Sequence, residues 1–188
     1  MSDVTDLTMI TGSALPAAFT FLFNQVDSLL ARRRERKSRG RHSGTEGELT
    51  AKEVPQELVG TVSLPMRTDE KLLEERAAEL DTYLRVLRVY VEDPSKITTS
   101  DEGLMAVLSQ VRGALEEIHG QRFTFVGERR AASGPSVVGR YKEVAGDLTG
   151  MKASEAIRGN PDVDQEVGII HPGGKVIGME APVIESGT

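Results

Sequence analysis

The chain has no cysteine and no tryptophan, and only 4% of its 188 residues are aromatic. The missing thiol excludes a disulfide-stapled scaffold, a cysteine nucleophile and every zinc or iron–sulfur site that needs Cys ligands, and it suits a reducing compartment. Histidine is scarce too. His42, His119 and His171 fall on separate segments, and none shares a helix face with a second His at metal-ligand spacing. A Gly-x-Ser-x-Gly elbow for a serine nucleophile is absent. His171-Pro172-Gly173-Gly174-Lys175 begins like a phosphate loop, but Val176 and Ile177 follow where Ser or Thr and a helix are required. It reads instead as a turn joining two strands in a hairpin. Asp162, Asp164 and Glu166 alternate like the start of a calcium loop, yet Val167 takes its glycine position and Gly173 its closing acid. No catalytic, cofactor or metal-ligating constellation emerges, and no small-molecule substrate is implied. An enzyme reading survives only for a site completed by another chain.

The charge is unevenly spread. Residues 32–41 hold seven cations against Glu35, so the rest of the chain carries −12 when the total is −6. Those cations are Arg32, Arg33, Arg34, Arg36, Lys37, Arg39 and Arg41. A stretch from Leu7 to Val26 that has no charged residue ends just ahead of Asp27, five residues before them. Its 20 residues would suffice to span a bilayer. Its polar residues, with Ser13 as a cap and Pro16 in a first turn, point rather to an amphipathic helix starting near Ser13. Leu15, Phe19, Leu22, Phe23, Val26, Leu29 and Leu30 share one arc of that helix, and Phe21 alone breaks the pattern. A secretory signal peptide is not expected, because the positive charge follows the apolar run.

Residues 38–67 lose periodicity and read as a linker. From about Asp69 to Glu92, Leu73, Ala77, Leu80, Leu84, Leu87 and Val91 recur at spacings of four and three, the rhythm of packed helices. Pro94 ends that helix, and a Thr99-x-x-Glu102 capping box opens a second. There Leu104, Leu108, Val111, Leu115 and Ile118 repeat the rhythm until Gly120, so a short connection makes an antiparallel hairpin. Leu73, Leu80, Tyr83, Leu84, Leu87, Tyr90, Leu108, Val111, Leu115 and Ile118 form its expected interface. Such a stripe is wider than one helix covers, so the first helix, the C-terminal region, a second copy or a partner must cover the remainder. The paired acids Glu74-Glu75 and Glu116-Glu117 are expected on solvated faces.

Beyond Gly120 the period turns strand-like, with 12 of the 19 glycines in the last 69 residues. Arg122–Val126 alternates as a half-buried strand does. Leu148-Thr149-Gly150-Met151-Lys152-Ala153 echoes Val176-Ile177-Gly178-Met179-Glu180-Ala181 at a distance of 28 residues. Two copies are too few to define a solenoid, and Gly-punctuated strands of a small irregular sheet account for the echo, unless each Gly-Met pair turns a corner.

These readings give an α+β chain: a basic-ended helix over 1–37, a linker over 38–67, a helical hairpin over 68–120, a small β-rich module over 121–184, and a tail. The function they imply is that of a non-catalytic interaction or scaffold protein. Its hairpin pairs with itself or with a protein partner, and its first helix tethers it to an anionic membrane face on the cytoplasmic side. The alternative is a nucleic-acid accessory protein gripping phosphates through Arg32 to Arg41, although the acidic body and few aromatics weigh against it.

Overall fold

The computed structural model describes residues 7–39, 54–152, 156–159 and 161–186. Three helices, α1 (Leu15–Arg39), α2 (Glu70–Glu92) and α3 (Glu102–His119), precede seven strands, so the class is α+β. No helix among the described residues is long and apolar enough to cross a membrane.

Local chemistry fixes the helix ends. Asp69 caps α2 by accepting from the amides of Lys71 and Leu72 at 2.9 and 3.1 Å. Asp101, not Thr99, caps α3, accepting from Leu104 N at 2.9 Å. A carboxylate directly before the first turn reaches those amides and complements the helix dipole, so it displaces the expected Thr99 box. At the far end Gly120 takes the left-handed conformation, φ 60°, that terminates α3.

The helices α2 and α3 run in opposite directions. Asp69 N, at the start of α2, donates to Ile118 O at the end of α3, and Tyr90 near the end of α2 reaches Asp101 at the start of α3. Leu73, Leu80, Leu84 and Leu87 of α2 meet Leu108, Val111, Leu115 and Ile118 of α3, all buried. The helix α1 packs on both and covers much of their apolar surface, leaving Val86, Val89 and Val91 of α2 exposed. Its second apolar side carries Phe21, whose ring meets Phe123 and Phe125 edge-to-face at centroid distances of 5.4 and 6.1 Å.

Two segments depart from the expectations. Within the supposed linker, Leu58 and Val62 are buried. Val59 N donates to Thr124 O at 2.8 Å, and Val126 N donates to Glu57 O at 2.8 Å. Apolar residues between the prolines anchor this stretch to the body, while residues 40–53 lie outside those described. The supposed half-buried strand is enclosed on both sides: Gln121 to Phe125 are all buried, with Phe123 and Phe125 under α1. Only Gln121–Arg122 forms a strand, β1.

The remaining strands form two successive turns of one coil. The first turn is β2 (Gly134–Val144), β3 (Asp147–Lys152) and β4 (Ala156–Gly159); the second is β5 (Asp162–Ile170), β6 (Lys175–Glu180) and β7 (Val183–Ser186). Each strand of the first turn pairs in parallel with its counterpart in the second: Ser136 with Asp162, Leu148 with Val176, Ala156 with Val183. The repeat noticed in the sequence coincides with the pairing register of β3 on β6. Parallel pairs need a long crossover, and here the crossover is the rest of the turn. The Pro-Gly-Gly segment accordingly makes no hairpin. At Gly173, φ 89°, the chain turns a corner, and β5 and β6 join different sheets. The Gly-Met pairs are not corners, since Gly150-Met151 and Gly178-Met179 lie inside β3 and β6.

Candidate functional site

The surfaces singled out in the sequence are largely occupied within the chain. Leu15, Phe19, Leu22, Val26, Leu29 and Leu30 are buried, and Phe23 is partly buried against the same core. Phe19 lies 6.4 Å from Tyr90 and 6.0 Å from Phe23, centroid to centroid. The membrane- or partner-facing role expected of this stripe is thus replaced by an intramolecular one: covering α2 and α3 removes the same apolar area from water that a bilayer would. The leucines, valine and isoleucine expected at the interface of α2 and α3 are likewise enclosed, with Tyr83 and Tyr90 partly buried. Tyr83 and Tyr90 keep their hydroxyls at the rim, donating to Glu79 and Asp101 at 2.8 Å.

The basic block also finds counter-charges on α2. Arg33 grips Glu74 with two bonds of 2.9 Å, Arg34 meets Asp81 at 2.9 Å, and Arg36 meets Glu70 at 2.6 Å. Lys37 lies 3.2 Å from Glu74, and Arg32 Nε donates to Ser28 O at 3.4 Å. Arg39 is the last residue of α1, and Arg41 lies outside the described residues. Hydrogen bonds from Arg33 and Lys37 hold the Glu74 carboxyl below its ordinary pKa, and Arg85 and Arg34 do the same to Asp81. These pairs are exposed, so they orient α1 on α2 more than they stabilise it. They nevertheless engage the cations that an anionic surface would need.

Glu116 departs from the solvated face expected of it. It accepts from Phe123 N at 2.7 Å and from Arg130 at 3.0 Å, and so ties the loop after β1 to α3. Two further residues fasten the same loop. Arg112 pairs with Glu128, their side chains 4% and 0% exposed, and Glu128 also accepts from Phe125 N at 2.6 Å.

His119, another residue weighed in the sequence, is buried at the end of α3, with Nδ1 2.9 Å from Arg67 O. Burial, foremost, and the nearby Arg32 push its pKa below the ordinary histidine value, while the Arg67 carbonyl opposes them. The unfolded chain therefore binds a proton at higher pH than the folded one. His119 contributes full stability above about pH 6.5 and loses it as the pH falls through that value toward the lowered one. Urea unfolding from pH 7 to pH 5 is expected to show stability declining with acidity, and His119→Gln to flatten that decline. An unchanged slope in the variant would remove His119 as its source. Among the described residues no group of three or more His, Asp or Glu is placed to hold a metal ion. Asp162 instead pairs with Arg122 at 2.6 Å.

Apolar side chains stay exposed on α2, at Val86, Val89 and Val91, and also at the end of the β-coil, which the sequence did not single out. The contrast between its turns is direct. Val144 of the first turn is 7% exposed, whereas Ile170, its register partner in the second, is 52% exposed. Ile169, Val183 and Ile184 of the second turn are also about half exposed. Among the described residues no strand pairs with the outer edges of β5, β6 or β7. A row of unpaired amides and carbonyls beside exposed aliphatic side chains is a template for a further strand.

The glycines at the repeat position show the same asymmetry. A Cβ on Gly150 would lie 2.5 Å from Val163 Cγ1 and 2.7 Å from Gly178 O, whereas on Gly178 its nearest neighbour would be Val163 Cγ1 at 4.0 Å. Gly150→Ala is expected to cost about 1–3 kcal/mol, as overpacking does, and Gly178→Ala to be close to neutral. Thermal unfolding of both variants checks this, and equal losses would contradict the geometry.

Compared with protein families, with curated proteins and with solved structures, the chain matches none of them.

Proposed function

We propose that this chain is a non-catalytic interaction or scaffold protein, in which a helical body carries a two-turn β-coil whose open end accepts β-structure from a partner. The single observation behind this reading is the pair Val144 and Ile170: equivalent positions, one buried and one left half exposed. Repeat architectures bury a continuous core by stacking, and roughly three repeats are needed before a stack is stable alone. Two turns braced by a helical body are short of that, which favours completion by strand addition.

The test uses a photoreactive residue in place of Ile184 at the coil end, or in place of Val89, an exposed position on α2. Illumination in native extract is expected to give discrete adducts from position 184 and only background from position 89. Equal yields from the two positions would defeat the reading.

A further inference from the structure

Building on that reading, we infer that the occupant of the coil end is a second copy of this chain, stacked head to tail so that its first turn lies on the second turn of its neighbour. The register carries the argument. Four register pairs between the two turns bring charged residues opposite each other, and all four join opposite signs: Arg140 with Glu166, Asp147 with Lys175, Lys152 with Glu180, and Arg158 with Glu185. One of them closes as an ion pair, Lys152 Nζ to Glu180 at 3.0 Å. His171 of the second turn adds a contact of 3.1 Å to Glu143 of the first.

This pattern divides the charge by turn. The strands β5 to β7 carry Asp162, Asp164, Glu166, Glu180 and Glu185 against Lys175 alone. By contrast β2 to β4 carry Arg140, Lys142, Lys152 and Arg158 against Glu143 and Asp147. A first turn laid on the open second turn of another copy repeats, at the same heights, the opposite-sign register found inside the chain. Two second turns laid on each other would instead bring two acidic edges together. On the receiving side, β1 pairs with β2 only at Gly134 and Pro135, and no described strand pairs with the corresponding edges of β3 and β4. The exposed Ile169, Ile170, Val183 and Ile184 would be covered in such a stack as Val144 already is. A head-to-tail contact does not close on itself, so the expected product is a series of growing oligomers.

Sedimentation velocity of the intact purified chain, from micromolar to millimolar concentration, tests this. The expected result is a concentration-dependent series extending beyond the dimer and weakened by added salt. Ile169→Lys/Ile184→Lys, at exposed positions, is expected to weaken association about a hundredfold while leaving the thermal transition of the monomer unchanged. Mixed in excess with the wild-type chain, this variant should cap growth, because its first turn still docks on a wild-type end. Association that stops at a dimer but is weakened by the variant would assign an end-to-end pairing of second turns, and association that ignores the variant would place the contact elsewhere; either result would overturn the head-to-tail stack. A chain monomeric at every concentration, whose position 184 still captures another protein, would overturn the second copy and leave the interaction reading standing. Monomer without capture would overturn both.

Discussion

Arg112→Met is expected to lower the unfolding free energy by about 3–5 kcal/mol, because it strands a buried carboxylate. The Glu128 side chain is fully enclosed, and Arg112 is the cation facing it. Methionine fills much of the space of arginine but returns no charge, so Glu128 must either ionise unpaired or take up a proton. Glu128 also holds Phe125 N at 2.6 Å, so the loop that seats Phe123 and Phe125 loosens with it. Chemical denaturation measures the loss. Adding Glu128→Gln to Arg112→Met should restore part of it, since the glutamine carbonyl still accepts from Phe125 N and no charge is left behind. A double variant as unstable as the sum of the two single variants would contradict a coupled pair.

Phe21→Ala should cost a comparable amount, about 3–5 kcal/mol, by opening a cavity between α1 and the segment after β1. Phe21 is 4% exposed, and its two edge-to-face partners, Phe123 and Phe125, are fully buried. Phe21→Leu retains most of the volume and should lose clearly less. If Phe21→Ala proved as stable as the native chain, α1 would not be packed against that segment as described.

The same two sites mark where the sequence was readable and where it was not. Leucines at spacings of four and three placed α2 and α3 to within a residue or two, because each helix buries one continuous stripe. The helix α1 buries two sides, so Phe21, outside the first stripe, looked like an exception when it was the contact to a different layer. Arg112 carried no signal at all. A lone charge on a helix is ordinarily solvated, and its partner lies 16 residues away beyond a glycine and a strand.

The basic block was misjudged for a related reason. Its counter-ions Glu70, Glu74 and Asp81 recur at spacings of four and seven on one face of α2, more than thirty residues along the chain. Read along the chain, the block suggested an outside anionic surface, whereas the fold supplies counter-charges of its own. For the strands, the 28-residue echo held the register in plain view. It lacked meaning until the partners were known to be parallel, since short Gly-punctuated runs read alike whether they pair with their neighbours or with a copy of themselves one turn on. The edge exposed by that arrangement could not be read from residue types, because Ile169 and Ile184 resemble any strand interior.

The corner between the first two strands of each turn is two residues long in one case, Ala145-Gly146, and four in the other, His171 to Gly174. The strand beyond the longer corner nevertheless resumes paired with the one below, Asp147 on Lys175. The next corner differs by one, three residues between β3 and β4 against two between β6 and β7, and Ala156 still pairs with Val183. Corner length can therefore vary by one residue or by two without loss of the strand pairing, and the Lys152–Glu180 pair beyond the first corner shows the contact kept.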